Sequence, residues 1–129
     1  MFLTVCTRRR EKVLANDTAH QTLVTGWQSA DAWLVGHYVI MPDHIHLFCT
    51  VQNEDHSLQD WVTYWKRQLK RALGLAAPAL QPHSFHHRLR QEEDYNEKWQ
   101  YVRDNPVRAG LAKHAEDWPF QGCLNELRW

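Results

Sequence analysis

The chain has 129 residues, which is enough for one domain with a single modest core. Hydrophobic residues make up 43% of the composition and charged residues 23%, and the formal net charge of zero counts against a protein that binds nucleic acid through overall positive charge alone. No apolar stretch approaches the roughly 20 residues that cross a bilayer, and no signal-peptide pattern opens the chain, so we expect a cytoplasmic protein with no membrane partner. Three scattered cysteines without CxxC spacing predict neither a disulfide framework nor a zinc ribbon.

The chain opens with a predicted strand and a predicted helix. Residues 2–7 form a short run of β-forming residues, which three consecutive arginines bring to an end. Residues 17–30 suit a helix, and either Asn16 or Asp17 is a suitable N-cap for it.

Two further strands follow this helix. Residues 32–41 and 44–51 are rich in aromatic and β-branched side chains, which favour strands. Pro42-Asp43 lies between them and supplies the chemistry of a turn. The two strands therefore most simply pair as a hairpin.

The segment SLQDWVTYWKRQLKRALG predicts a longer helix that begins at Ser57. Ser57 and Asp60 resemble a capping box with Asp in place of Glu, and Gly74 suits the position that ends a helix in the left-handed conformation. Apolar residues recur at helical spacing and predict one buried face, formed by Leu58, Trp61, Val62, Trp65, Leu69 and Leu73.

The last predicted elements are a short strand and a helix. Residues 84–90 suit a fourth strand, and residues 92–104 suit a helix that stops before Pro106, because the residue preceding a proline avoids the α region. The order β-α-β-β-α-β with an added C-terminal helix predicts an α+β fold, the ferredoxin-like split βαβ plan. We expect a single domain over residues 1–129.

The hairpin carries a pair of histidines in the stretch HYVIMPDHIHLFCT. Side chains alternate along a strand, so His44 and His46 must share one face while Ile45 and Leu47 point to the other. Two imidazoles so placed can both reach one metal ion. An isolated His-x-His is more often a solvated or cross-strand pair, but polar residues in an otherwise apolar hairpin need a reason.

A second candidate constellation lies downstream, in EEDYNEKWQYVRDNPVRAGL. Tyr101 and Asn105 are four residues apart, so on a helix they share a face one turn apart. A phenol and an amide aimed at a metal-binding histidine pair would suit phosphoryl transfer, with the phenol as nucleophile. The simpler alternative is that Tyr101 packs beside Trp99 and Val102 while Asn105 caps the segment that starts at Pro106.

Taken together, these motifs resemble the HUH endonucleases, whose name refers to a His-hydrophobe-His motif. VIMPDHIHLF, a helix ending in Tyr-x-x-x-Asn-Pro-Val-Arg-Ala-Gly, and DWPF at residues 117–120 are similar to motifs of the insertion-sequence-200-like transposases. Within that family the REP-associated tyrosine transposases are the most similar branch. The resemblance covers nearly the whole chain, and the motifs are specific only as a set.

The resemblance implies a role for each residue of the two constellations. It makes His44 and His46 ligands of a divalent metal, Mg²⁺ or Mn²⁺, and Asn105 a third ligand through its side-chain oxygen. Other branches often have Gln at that last position. It makes Tyr101, carried on the C-terminal helix, the nucleophile. The fold that it implies is again ferredoxin-like.

The implied function is that of a metal-dependent single-stranded DNA endonuclease and strand-transferase that forms a 5′-phosphotyrosine next to a hairpin-forming repeat. The protein would act as a monomer or a homodimer. Two basic clusters would contact DNA phosphates, although each alone is also typical of an ordinary solvated face. They are formed by Arg8, Arg9 and Arg10, and by Lys66, Arg67, Lys70 and Arg71.

Two other functions are compatible with the sequence. One is a non-catalytic nucleic-acid binding module with a ferredoxin-like sheet. The other is a small metallohydrolase in which the histidine pair and Asn105 hold zinc and water attacks. The sequence lacks the additional closely spaced His and Asp ligands that such hydrolases usually have.

Overall fold

The computed structural model describes residues 1–74, 80–82, 85–89 and 91–127. These residues form one antiparallel sheet with the strand order β4-β1-β3-β2-β5, and helices cover both of its faces. The strands are β1 (Phe2–Cys6), β2 (Trp33–Ile40), β3 (His44–Val51), β4 (Phe85–His87) and β5 (Gln121–Cys123). The helices are α1 (Asp17–Ser29), α2 (Leu58–Leu73), α3 (Glu92–Arg103) and α4 (Asn105–Arg108). The predicted α+β class is confirmed.

Local sequence signals set the ends of the two long helices as predicted. The Asn16 side chain accepts a hydrogen bond from the Ala19 amide at 2.8 Å and so caps α1. Ser57 Oγ accepts from the Asp60 amide at 3.1 Å and caps α2. Gly74 ends α2 with a φ of +62°, in the left-handed region where glycine carries no steric cost.

The sheet separates two apolar clusters, because successive side chains on each strand point to opposite faces. One face carries Leu3 and Ile45 and packs against α1 and α2, including the buried Trp65. The other face carries Phe2 and Phe48, and α3 packs on it through the side chains of Tyr95, Trp99 and Val102. The second face is the one that His44 and His46 share, since they alternate with Ile45.

The fifth strand was not predicted. β5 pairs with the outer edge of β2 and places Gly122 opposite Tyr38. A Cβ at Gly122 would lie 2.7 Å from the Tyr38 hydroxyl oxygen, so this close approach requires glycine. Three residues containing a glycine give no alternating pattern, which is why the sequence signal is absent.

The segment 117–120, part of the motif set in the sequence, holds the end of β2. The buried Trp118 indole N–H donates to the Ile40 carbonyl at 3.0 Å, and the Ile40 amide donates to the Phe120 carbonyl at 2.8 Å. These bonds satisfy backbone groups where β2 turns toward the histidines, and they join the C-terminal segment to the sheet.

Two predicted elements differ in extent. β4 covers Phe85–His87, while the ends of the predicted strand, at residues 84 and 90, lie outside the described residues. The third helix ends at Arg103, and Asn105 belongs to α4 instead of the same helix as Tyr101. Pro106 has no N–H with which to continue α3. Among the described residues, no helix combines the length and apolar character needed to cross a membrane.

Candidate active site

The pairing of β1 with β3 builds the floor of the candidate site. It places Thr4 opposite His46 and Cys6 opposite His44. The two imidazole rings lie with their centroids 4.7 Å apart. The two histidines therefore share one face of the sheet, as predicted. It is the face on which α3 packs.

Each imidazole is held through its Nδ1 atom, and the partners differ. His44 Nδ1 lies 2.6 Å from Asp43 Oδ1, while His46 Nδ1 lies 2.9 Å from the hydroxyl of Thr4. Arg10 completes the arrangement, since its Nε donates to Asp43 Oδ2 at 2.9 Å. In both rings Nε2 is therefore the nitrogen that is not bonded to Asp43 or Thr4.

Both histidines are neutral at ordinary pH. Burial lowers the pKa of His46 to about 3, and the positive charges of Lys98, Arg10 and Arg108 add to this effect, as does His44 when it is protonated. Burial also lowers the pKa of His44, against the opposing influence of Asp43. Neutral imidazole is the form that binds a metal ion, so this electrostatic environment keeps both rings competent as ligands.

Asp43 remains a carboxylate beside these rings. Burial acts to raise its pKa, but the hydrogen bonds from Arg10 and His44 outweigh burial and leave that pKa below its usual value. The side chain thus presents two acceptor oxygens, one to each partner.

Asn105 comes to the histidine pair from α4. Its Nδ2 lies 3.2 Å from His44 Nε2, which joins the downstream constellation to the upstream one. Exchanging the positions of the amide nitrogen and oxygen would bring Oδ1 to the same place. The amide oxygen would then lie beside His44 Nε2, with the His46 ring centred 4.7 Å from the His44 ring. Imidazole nitrogen and amide oxygen form a mixed donor set that suits a divalent cation such as Mn²⁺.

No larger cluster of classical ligands supplements this set. In the parts of the chain that the structure describes, no group of three or more His, Cys, Asp and Glu side chains is arranged to hold a metal ion. A cation at this place would therefore depend on His44, His46 and Asn105, with water completing its coordination.

Tyr101 is mostly in solvent, with 61% of its surface exposed. It does not share the packing of Trp99 and Val102 against the sheet, so the packing alternative does not describe it. The guanidinium carbon of Arg108 lies 3.9 Å from the centre of its ring, and an Arg108 N–H donates to the Tyr101 carbonyl at 2.6 Å. The phenol is therefore accessible but covered on one ring face by a cation.

A groove of about 430 Å³ runs beside Tyr101. Its lining comes from the end of β4 and from α3, and consists of His87, Leu89, Asp94, Glu97, Lys98 and Tyr101. The ammonium of Lys98 lies 5.3 Å from the centre of the Phe2 ring, and Phe2 stacks on His46 with centroids 5.4 Å apart. Lys98 thus lies between the tyrosine groove and the histidine pair.

The two predicted basic clusters occupy different places. Arg10 belongs to the histidine site through its ion pair with Asp43. The second cluster lies on α2, which packs on the opposite face of the sheet, along a groove of about 690 Å³. All four of its members line that groove: Lys66, Arg67, Lys70 and Arg71. Lys66 already has a partner within the protein, since its Nζ donates to the Gln81 carbonyl at 3.0 Å. Burial lowers the pKa of Lys66.

Comparisons with known proteins give the family. No family model matches the chain. It is 34% identical over 86 residues to the REP-associated tyrosine transposase of Escherichia coli (strain K12), a match that covers 64% of this chain and 50% of that protein. A relative from Haemophilus influenzae is 24% identical over 102 residues, which cover 69% of this chain and 58% of that protein.

A solved structure decides the assignment. The structure of a REP-associated tyrosine transposase bound to a REP hairpin matches with a TM-score of 0.80 and 30% identity, over 93% of this chain and 73% of that chain. The chain belongs to the REP-associated tyrosine transposases. The family suggested by the sequence motifs is thus confirmed, although the chain spans only 50% and 58% of the curated relatives' lengths.

Several residues at the candidate site of this REP-associated tyrosine transposase were not predicted from the sequence. Thr4 and Lys98 reach it only through strand pairing and helix docking, for which a single sequence carries no local signal. Asp43 stands directly before His44 but was interpreted only as a turn residue. Arg108 is seven residues from Tyr101 and contacts it across the break at Asp104, which was not predicted.

Proposed function

We propose that this chain cleaves and rejoins single-stranded DNA beside a hairpin-forming repeat, through a covalent bond between Tyr101 and a 5′ phosphate. A divalent cation, Mg²⁺ or Mn²⁺, would be held by His44, His46 and Asn105. The proposed place of action is the cytoplasm. The REP hairpin bound by the similar solved structure supports the choice of a hairpin substrate.

One observation carries the proposal. The Asn105 amide nitrogen lies 3.2 Å from His44 Nε2, although the two residues are 61 positions apart in the chain. Tyr101 precedes Asn105 by four residues, across the break between α3 and α4, so the fold brings the candidate nucleophile's segment toward the candidate cation ligands. A ferredoxin-like binding module without chemistry would have no need for this convergence.

The proposed chemistry is an in-line displacement at phosphorus. Tyr101 gives up its phenolic proton to solvent, and its oxygen attacks the phosphorus as the bond to the 3′ oxygen breaks. The leaving oxygen takes up a proton and becomes a free 3′-OH, while the 5′ phosphate stays on the tyrosine. When bound, the cation would polarise a non-bridging oxygen of the phosphate.

The surrounding residues hold the reacting groups. His44 and His46 stay neutral and keep nitrogen lone pairs available. Arg108 covers one face of the Tyr101 ring and limits its rotation. Because the phosphotyrosine bond conserves the free energy of the phosphodiester, a second 3′-OH can attack it and reseal the strand without ATP or water attack.

The basic residues suit a DNA path from the α2 groove toward the site. Lys66 contacts Gln81, and the Gln81 amide nitrogen donates to the Thr7 carbonyl at 3.1 Å. The arginine cluster at residues 8–10 comes directly after Thr7 in the chain. Arg10 forms an ion pair with Asp43, which lies beside His44. The proposed path thus runs around the end of β1, with cations along it to contact phosphates.

The test is covalent trapping. The protein is incubated with end-labelled, hairpin-flanked single-stranded DNA and Mn²⁺, and denaturing gels are examined for a protein-DNA band. Tyr101→Phe should abolish the band and leave DNA binding nearly unchanged. Tyr64→Phe is the matched control, since Tyr64 is also exposed, at 46%, but lies on α2.

The cation ligands are tested in the same assay. The double variant His44→Ala, His46→Ala should lose the band, whereas His56→Ala, at an exposed position, should keep it. Cleavage by the wild type without a covalent species would rule out the tyrosine mechanism. Binding without cleavage under all divalent cations would favour the binding-module alternative.

A further inference from the structure

The His44 ring has a partner at each of its nitrogens, and the carboxylate at Nδ1 sets the tautomer. Asp43 Oδ1 lies 2.6 Å from Nδ1, and a carboxylate oxygen accepts hydrogen bonds. The Asn105 Nδ2 group lies 3.2 Å from Nε2 and donates. Because a carboxylate cannot donate, the hydrogen lies on Nδ1 whichever way the Asn105 amide is turned, and a neutral ring then has its lone pair on Nε2.

Arg10 fixes the direction of the Asp43 carboxylate. Its Nε donates to Oδ2 at 2.9 Å, which leaves Oδ1 for the histidine. An Arg10 nitrogen also lies 3.3 Å from His44 Nδ1, but the closer carboxylate oxygen takes the ring hydrogen. The backbone supports this arrangement, since Arg9 and Arg10 have φ values of +57° and +56°, a region that non-glycine residues rarely occupy.

His46 has no such fixed direction. Its Nδ1 partner is the Thr4 hydroxyl, which either donates or accepts. The two imidazoles of the pair therefore differ, because only His44 has an acceptor that is itself held by a cation.

We propose that Asp43, held by Arg10, is a positioning residue that fixes His44 in the Nδ1-protonated tautomer, so that the Nε2 lone pair faces a divalent cation. The cation rests on the function proposed above, whereas the tautomer does not. Carboxylates commonly hold metal-binding histidines in this way, and their loss typically lowers metal affinity by about 10- to 100-fold.

Asp43→Asn gives a directional test because Arg10 stays in place. The amide oxygen of the new side chain would accept from Arg10, and its NH₂ group would then face His44 Nδ1. A donor at that place requires the lone pair on Nδ1 and moves the hydrogen to Nε2. Asp43→Asn should therefore reverse the tautomer of His44 while the side chain at position 43 keeps almost the same shape.

The first measurement is ¹⁵N NMR of histidine-labelled, metal-free protein. The wild type should show His44 with its hydrogen on Nδ1, and Asp43→Asn should show it on Nε2, while the signals of His46 change little. Asp55→Asn, an exposed carboxylate in a turn, is the matched control and should leave His44 unchanged. An unchanged His44 tautomer in Asp43→Asn would overturn the proposal.

The second measurement is Mn²⁺ binding, followed by EPR of the free ion. Asp43→Asn should weaken binding by about 10- to 100-fold, and Asp55→Asn should bind like the wild type. Wild-type protein that binds no Mn²⁺ would overturn the proposed cation site, and NMR would still decide the tautomer. Wild-type affinity in Asp43→Asn would overturn the role of Asp43 toward the cation.

Discussion

At the scale of single residues, Tyr101 combines exposure with restraint. Its ring is open to solvent, yet Arg108 lies against one face and bonds to its carbonyl. A partly exposed cation–π contact is worth about 0.5–1 kcal/mol. The contact therefore limits the orientations of the phenol without burying it, which suits a nucleophile that must meet a large substrate.

Arg108→Ala should slow the formation of the covalent protein-DNA species. Loss of about 1 kcal/mol of orienting energy corresponds to roughly a five-fold change in rate. The measurement is the single-turnover rate at saturating DNA. Arg103→Ala removes a nearby exposed arginine whose ion pair with Asp104 is long, at 3.9 Å, and should leave the rate nearly unchanged. Equal rates in the wild type and Arg108→Ala would show that Arg108 does not orient Tyr101 for the reaction.

The partly buried histidines should make the metal-free protein acid-sensitive. The pKa of His46 falls from 6.5 in the unfolded chain to about 3 in the folded one, chiefly through burial. Between these values the unfolded chain binds more protons, so the free energy of unfolding must decrease as pH falls from 6.5 toward 3. His44, with its pKa also lowered, acts in the same direction.

The expected size of this loss is on the order of a few kcal/mol. Urea denaturation in EDTA at a series of pH values measures it. His46→Gln should flatten the pH dependence, whereas His56→Gln, at an exposed position, should not. A free energy of unfolding that stays constant from pH 6.5 to pH 4 would contradict the burial of neutral imidazoles.

At the scale of elements, β2 depends on the C-terminal segment for its end. Trp118→Phe should lower the free energy of unfolding by about 1–3 kcal/mol, because it leaves the Ile40 carbonyl buried without its partner. Chemical denaturation measures the loss. Trp33→Phe is the matched control, since the Trp33 indole bonds to the His56 carbonyl in an exposed loop and should cost less. Similar losses in both variants would mean that ring volume, and not the buried hydrogen bond, matters.

The helices and the central strands were predictable because their signals are local. The caps of α1 and α2, the apolar face of α2 and the alternation along β3 are all visible within a few neighbouring residues. β5 was not predictable, since three residues are too few to show the alternation of apolar and polar side chains that is typical of a strand. The His44–His46 pair followed from the period of two in a strand, whereas its partner Thr4 depends on the register of β1 against β3.

The contact between Asn105 and His44 was suggested by the resemblance to a family and not by geometry. Spacing alone placed Tyr101 and Asn105 on one helix, and the break at Asp104 corrects that placement. Arg10 was predicted to contact DNA, and only the folded chain shows that it pairs with Asp43. Such pairings depend on backbone φ values at Arg9 and Arg10 that side-chain type does not indicate.

At the scale of the whole molecule, the sheet carries a candidate site on each of its two faces. The histidine site lies under α3 on one, and the basic groove of α2 lies on the other. The triple variant Arg67→Gln, Lys70→Gln, Arg71→Gln should weaken DNA binding and reduce the slope of log K against log salt by up to about two to three. Fluorescence anisotropy at several salt concentrations measures both effects.

The same triple variant should still form the covalent species at saturating DNA, because the groove lies apart from Tyr101. Substituting the exposed Lys12, Arg103 and Lys113 instead would remove the same number of charges elsewhere and serves as a charge-matched comparison for binding. An unchanged salt slope in the groove variant would show that DNA does not run along α2.

The two outermost strands, β4 and β5, have only three residues each, while the central strands have five to eight. An exposed strand edge invites pairing with another molecule, and proteins commonly limit this hazard by keeping edge strands short. A neighbouring chain could add no more than a few backbone hydrogen bonds to β4 or β5. The short edge strands thus limit the number of backbone hydrogen bonds that a second copy of the chain could form with β4 or β5.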